Sequence, residues 1–192
     1  MPSFNTKAVV LKNFVFQDTD KIYTFLSEDK GKISGIGKGV RKVSSRRGGN
    51  LDTLNLVEVQ LNVHKGGQNY ITEVKTIKSF RKIKEDLELS NQAFYMAELI
   101  NKFIDQDENI KPVYSLFVES LEKLQDGNGE TTLRVNKFEI KLMQILGYQP
   151  PKNLLMKWKE LIEKTNYVEA NNLIKDFVTE ILQENLKSLE LS

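Results

Sequence analysis

Apolar residues recur at every second position through much of residues 1 to 80, and at every third or fourth position from about Glu85 onward. A strand buries one face with period two and a helix buries one stripe with period 3.6, so this change of rhythm divides the chain into a sheet part and a helix part. Strands followed by helices, without alternation between them, exclude a doubly wound parallel sheet. They predict an α+β protein in which an all-β barrel precedes an all-α domain.

The sheet part is the more specific. Val57, Val59, Leu61 and Val63 alternate with Glu58, Gln60, Asn62 and His64, giving a strand with one dry and one wet face. Leu54 and Leu56 sit on the opposite parity, which predicts a bulge or sharp bend near Leu56 and Val57 of the kind strongly curved sheets require. Lys65-Gly66-Gly67-Gln68-Asn69 supplies a glycine-bearing turn into a strand over Tyr70 to Phe80. Earlier strands are predicted over Thr6 to Val15, Lys21 to Leu26 and Lys32 to Val40, with Asp29-Lys30-Gly31 turning between the last two. Five short, curved, antiparallel strands describe a small closed barrel such as the OB-fold.

Beyond Glu85, Leu89, Ala93, Met96, Ala97, Ile100, Phe103 and Ile104 form one helical stripe. Val113, Leu116, Phe117, Leu121 and Leu124 form a second after Pro112, a residue suited to a first turn. Asp126-Gly127-Asn128-Gly129 breaks the chain. Val135, Phe138, Leu142, Ile145 and Leu146 mark a third helix ending at Gly147, with Pro150 and Pro151 beyond it, and Leu173 to Leu182 carries a last one. The expected organisation is therefore an OB-fold nucleic-acid-binding domain over 1–82 and a helical bundle over 83–192.

Charge supplies the reason to expect nucleic acid. Residues 1 to 84 hold 16 Lys/Arg against 7 Asp/Glu and residues 85 to 192 hold 12 against 19, so a net +2 hides halves of +9 and −7. The excess peaks in Gly37-Lys38-Gly39-Val40-Arg41-Lys42-Val43-Ser44-Ser45-Arg46-Arg47-Gly48-Gly49-Asn50, five cations and four glycines read as a loop between strands. Flexible backbone with concentrated cations suits a polyanion, and arginine forks suit phosphate. Lys38, Arg41, Lys42, Arg46 and Arg47 are the candidate phosphate contacts, with Lys65, a hairpin cation of the same half, added to them. The ordinary alternative is a solvated loop kept cationic for solubility. Tyr23 and Phe25 share one face of a strand and could stack on bases, although an apolar run on both sides favours burial.

Enzyme chemistry finds no footing. The dinucleotide fingerprint fails because its third glycine would fall on Val40, and the P-loop fails because Gly37-Lys38 is followed by Gly39. The absence of cysteine excludes disulfides, thiolate zinc sites and thiol nucleophiles. His64 is the only histidine, and Asp105, Asp107 and Glu108 read as solvated acids at a helix end and loop. No metal, no cofactor and no catalytic residue is expected. The N-terminus lacks a signal-peptide core and no apolar run approaches the roughly 20 residues that span a bilayer, so a cytoplasmic protein without membrane contact is expected. In the helical half, Arg134, Lys137 and Lys141 at i, i+3 and i+7 make a basic line beside Leu142 and Ile145, a candidate seat for an acidic, hydrophobic peptide. Pairing of Glu130 with Arg134 on a solvated face is the alternative.

Several segments together are similar to the RecO family of bacterial recombination mediators. They are Ala8-Val9-Val10-Leu11-Lys12, Asp20-Lys21-Ile22-Tyr23-Thr24-Phe25-Leu26-Ser27 leading to Gly31-Lys32, Gly37-Lys38-Gly39-Val40-Arg41, Ser45-Arg46-Arg47-Gly48-Gly49 with Leu51, and Phe138 to Leu142 followed by Leu146-Gly147-Tyr148-Gln149-Pro150. The resemblance implies an N-terminal OB-fold, a helical C-terminal domain and a non-enzymatic role. That role is to bind single- and double-stranded DNA, anneal complementary strands and help RecA displace single-strand-binding protein together with RecR. The implied DNA contacts fall on Lys38, Arg41, Lys42, Arg46 and Arg47, and the acidic C-terminal tail of single-strand-binding protein is the peptide that Arg134, Lys137 and Lys141 would receive. Many members carry a four-cysteine zinc module after the Gly-Tyr-x-Pro segment. Pro151 to Tyr167 has no cysteine, so zinc is not expected and engagement of RecR by this short form is left open. An RNA-binding OB protein and a protein-interaction scaffold are the rival readings.

Overall fold

The computed structural model describes residues 3–42, 45–64, 66–106, 110–127 and 130–190, and for Arg46 and 184–190 the backbone only. The chain divides into two compact units, 1–118 and 119–192.

In the first unit, strands β1 (Ser3–Val15), β2 (Lys21–Ser27), β3 (Gly31–Gly37), β4 (Leu56–Val63) and β5 (Asn69–Lys78) close into a barrel in the order β1-β2-β3-β5-β4. This is the five-stranded OB arrangement. The expectation of wholly antiparallel strands is corrected at one seam: β3 and β5 pair in parallel through Ile36 and Tyr70. Parallel neighbours need a long connection, and here the chain from Lys38 through β4 to Asn69 provides it. The predicted bend lies where the parity argument puts it, since the β4–β5 register shifts between Leu56 and Val57. A second irregularity, between Val10 and Lys12 in β1, curls the longest strand so that it pairs with both β2 and β4.

Period two determines what fills the barrel. Val10, Tyr23, Phe25, Val59, Leu61 and Ile71 point inward and pack together, with the Tyr23 and Phe25 rings stacked at 6.1 Å. Full burial of a ring such as Phe25 contributes on the order of 2–3 kcal/mol. Gly35 belongs to the same inward set because nothing larger fits: a Cβ there would lie 2.7 Å from Leu61 Cδ2 and 3.1 Å from Ile71 Cγ1. Burial of Tyr23, helped by the charge of Asp52, pushes its phenol up to about 12.

The predicted strand over Lys32 to Val40 stops at Gly37, and the glycine-rich basic segment contains a short helix, α1 (Arg46–Asn50), rather than loop alone. Then follow α2 (Arg81–Glu85), α3 (Leu87–Phe103) and α4 (Lys111–Asp126), whose first half belongs to this unit. Asp86 begins α3 by accepting the Leu89 N–H at 3.0 Å, a side-chain cap that satisfies one of the first-turn donors.

The second unit holds the end of α4 with α5 (Thr131–Ile145), α6 (Lys152–Glu163) and α7 (Tyr167–Glu190), and α7 packs on both α5 and α6. Gly147, at φ 89°, ends α5 as the sequence predicts. Helix α6 has no counterpart among the predicted elements. It is tied in by polar contacts: the Trp158 indole N–H donates to Asn136 Oδ1 at 3.2 Å, and Asn136 Nδ2 donates to Glu139 Oε2 at 3.0 Å and Asn171 Oδ1 at 3.1 Å. Asn136 and Glu139 are fully buried, so these bonds offset the cost of taking polar groups out of water.

Candidate nucleic-acid interface

The basic segment leaves β3 at Gly37 and is fastened to the tip of the β1–β2 hairpin. The Gly39 N–H donates to Asp20 Oδ1 at 2.8 Å, the Arg41 N–H donates to the Thr19 carbonyl at 3.1 Å, and Arg41 Nη1 donates to the Asp18 carbonyl at 2.9 Å. The Gly39 bond, more than the neighbouring charges of Lys38 and Lys42, holds the Asp20 carboxyl below its ordinary range against the opposing effect of burial. Hairpin tip and cationic loop thus form one stitched assembly.

Lys38, Arg41 and Lys42 are exposed on this assembly. Lys38, Lys42 and Arg47 line a hollow of about 540 Å³ together with Thr19, Asp20 and Ser45. Arg47 differs from the other cations. Its Nη1 donates to the Ile71 carbonyl and its Nη2 to the Lys38 carbonyl, both at 3.0 Å, so its fork fastens the loop to the outer edge of β5. Asn50 continues that seam by accepting the Thr76 hydroxyl at 2.9 Å. Edge carbonyls that would otherwise face water are covered by α1. The side chain of Arg46, and Lys65, lie outside the described residues, as do Asp107 and Glu108. Lys32, a cation of the same half, donates to the Asn101 carbonyl at 2.9 Å.

The ring pair Tyr23 and Phe25 faces inward, 2 % and 0 % exposed, and offers no stacking surface. The outward aromatics are others. Phe14, near the end of β1, and Phe16, just beyond it, are 50 % and 44 % exposed. Tyr70, the second residue of β5, lies 4.5 Å beneath the Lys38 ammonium and meets His64 edge-on at 4.4 Å. Phe16 lines a cleft of about 680 Å³ with Ile22, Ile36, Ser34, Gln68 and Asn69. A sequence signal for these rings exists in Phe14-Val15-Phe16, an apolar run that continues to the lip of a hairpin whose loop is polar.

On α5, Lys137 and Lys141 are exposed, whereas Arg134 is half-buried with Nη1 at 3.4 Å from the Leu124 carbonyl. Of the two apolar neighbours in the expected groove, Leu142 is fully buried and Ile145 half-buried.

Comparison with known proteins brings two family models onto the chain: Recombination protein O N terminal over residues 1–80 and Recombination protein O C terminal over residues 84–153. Among curated proteins, the DNA repair protein RecO of Dehalococcoides mccartyi strain BAV1 is 35 % identical over 147 residues, 77 % of this chain and 57 % of that protein. The protein of the same name from strain 195 of that species is 32 % identical over 165 residues, covering 85 % and 64 %. That from Thermoanaerobacter sp. strain X514 is 30 % identical over 152 residues, covering 78 % and 60 %. The chain spans roughly three fifths of the length of the relatives it matches. Residues 154–190, most of α6 and all of α7, lie beyond the matched family models.

Proposed function

This chain belongs to the RecO family, and on that footing we propose that it serves DNA repair by recombination, without catalysis, by gripping the phosphates of single- and double-stranded DNA. Two strands repel through their phosphates, and a cationic surface that holds both lowers this repulsion until base pairing takes over. Annealing needs no bond chemistry. The observation that carries the reading is the exposure of Lys38, Arg41 and Lys42 on one stitched assembly at the barrel rim, where the +9 half of the chain concentrates its charge. Arg47 serves as the strap that holds this assembly to β5, and Arg46 and Lys65 are further proposed phosphate contacts on the strength of the sequence. Contacts of this kind position a strand without reading its bases, so binding is largely independent of sequence.

RecR, single-strand-binding protein and, through them, RecA are the proposed partners. The exposed Lys137 and Lys141, with Arg134, are the proposed seat for the acidic tail of single-strand-binding protein, and the cytoplasm is where such work is done. In the described residues no helix is long and apolar enough to cross a membrane.

The test is annealing of complementary oligonucleotides coated with single-strand-binding protein. The intact protein accelerates annealing, and a Lys38→Ala, Arg41→Ala, Lys42→Ala variant that keeps its fold does not. Equal rates for both would remove the reading, and strong preference for RNA over DNA of equal length would move it to an RNA-binding role.

A further inference from the structure

A carboxylate stands in the middle of the cationic patch, where it repels the phosphates that the patch attracts. Asp20 lines the same hollow as Lys38, Lys42 and Arg47 and is only 8 % exposed. On a surface that grips a polyanion this charge is a cost. The bonds that Asp20 makes show what offsets it.

Asp20 Oδ1 accepts the Gly39 N–H at 2.8 Å and the Thr19 hydroxyl at 3.0 Å. Its backbone is tied as well: the Asp20 N–H donates to the Gln17 carbonyl at 3.2 Å, and the Asp20 carbonyl accepts the Phe16 N–H at 3.1 Å. The hairpin tip is thus a closed turn that presents the carboxylate at one place. Gly39, at φ 66°, adopts the left-handed backbone that lets the chain reverse, and the Lys42 N–H returns to its carbonyl at 3.2 Å. One bond therefore fixes the turn that carries three cations, Lys38 before it and Arg41 and Lys42 after it. From the other side Val40, next to Gly39, is 6 % exposed and belongs to the barrel core with Tyr23 and Phe25. Held by the core at Val40 and by Asp20 at Gly39, the turn is set before any ligand arrives.

We infer that Asp20 is a positioning residue for strand binding: it acts through the Gly39 amide, as an acceptor rather than as a charge, and holds Lys38, Arg41 and Lys42 in one fixed arrangement. The inference rests on the phosphate-binding reading and adds how a glycine-rich loop binds without first having to be ordered. A loop fixed in advance loses little conformational entropy on meeting its ligand.

The hydrogen bond and the charge predict opposite outcomes when the carboxylate is removed. Asp20→Asn and Asp20→Ala remove the same charge, and only asparagine keeps an oxygen for the Gly39 N–H. Charge alone would make both variants bind oligothymidine more tightly, by the same factor. The asparagine variant is expected to bind at least as tightly as the intact protein, and the alanine variant about fivefold or more weakly than the asparagine variant at low salt. Loss of folded protein would lower the amplitude of binding and leave its salt dependence unchanged. Loss of the arrangement makes the alanine variant's salt slope shallower, by about 0.7 for each phosphate contact given up. Hydrogen exchange at the Gly39 amide gives a second measurement, whether or not the alanine variant folds. Slow exchange in the intact protein and the asparagine variant is expected, and exchange as fast as that of an open loop amide in the intact protein would overturn the inference. Equal affinity of the two variants would overturn it too, with phosphate binding left standing. If the intact protein does not bind oligothymidine even at low salt, both readings fall together.

Discussion

The inside and the outside of the same barrel use the same kinds of side chain for opposite ends. Tyr23 and Phe25 on β2 are enclosed and stacked on each other. Phe14 on β1 and Phe16 just past its end, with Tyr70 on β5, keep much of their surface in water. Parity along the strand decides the assignment, because one step turns a ring from the core to the rim. An aromatic residue in a strand is therefore uninformative until its partner across the sheet is known. Tyr23 pairs with Gly35, leaving room for a ring inside, whereas Ile22 pairs with Ile36 and Phe14 to build the outer row.

Changes inside the barrel have the largest expected effect. Phe25→Ala removes a fully buried ring and is expected to cost about 3–5 kcal/mol of stability in denaturant unfolding, with DNA affinity of the folded fraction unchanged. A loss below about 1 kcal/mol would mean that the interior is not closed. Alkali tests the same enclosure. Burial raises Tyr23, and likewise Tyr114, from 10.0 to about 12, so each stays protonated when folded while the unfolded chain ionises. Their contribution is complete below pH 10 and is lost as pH rises toward 12, by up to about 2–3 kcal/mol for each group. A stability curve flat across that window would contradict their burial.

Gly35→Ala probes how closely β3 approaches Leu61 and Ile71, and about 1–3 kcal/mol is expected because those side chains must give way. The smallest effect is on the outside. Phe16→Ala is expected to change stability by less than about 0.5 kcal/mol, since the ring is 44 % exposed, and a thermal melt indistinguishable from that of the intact protein checks it. Should Phe16→Ala prove as costly as Phe25→Ala, the distinction between core ring and rim ring would disappear.

Much of this was legible from one residue pattern. Alternation at Val57, Val59 and Leu61 against Leu54 and Leu56 is enough to site the β4 bulge, and the cation cluster from Lys38 to Lys42 is visible as composition. The parallel β3–β5 seam was not, since it rests on a single pair 34 positions apart, Ile36 and Tyr70. Nor was the strapping role of Arg47, whose acceptor, Ile71, lies 24 positions away and is adjacent only after the barrel closes. Helix α6 is a different case. Leu154, Leu155, Trp158, Leu161 and Ile162 carry helical spacing, but the segment follows two prolines and its buried anchor is the long-range bond from Trp158 to Asn136. Phe14 and Phe16 were obscured because alternation says which residues share a face and not which face is covered.

If cations at the barrel rim hold phosphates, the salt dependence of single-strand affinity measures that grip directly. Plotted as the logarithm of affinity against the logarithm of salt concentration, each phosphate contact contributes about 0.7 to the slope. The intact protein should show a steep decline, and the Lys38→Ala, Arg41→Ala, Lys42→Ala variant a slope shallower by about 2 with weaker binding at low salt. Identical slopes and affinities for the two proteins would contradict it.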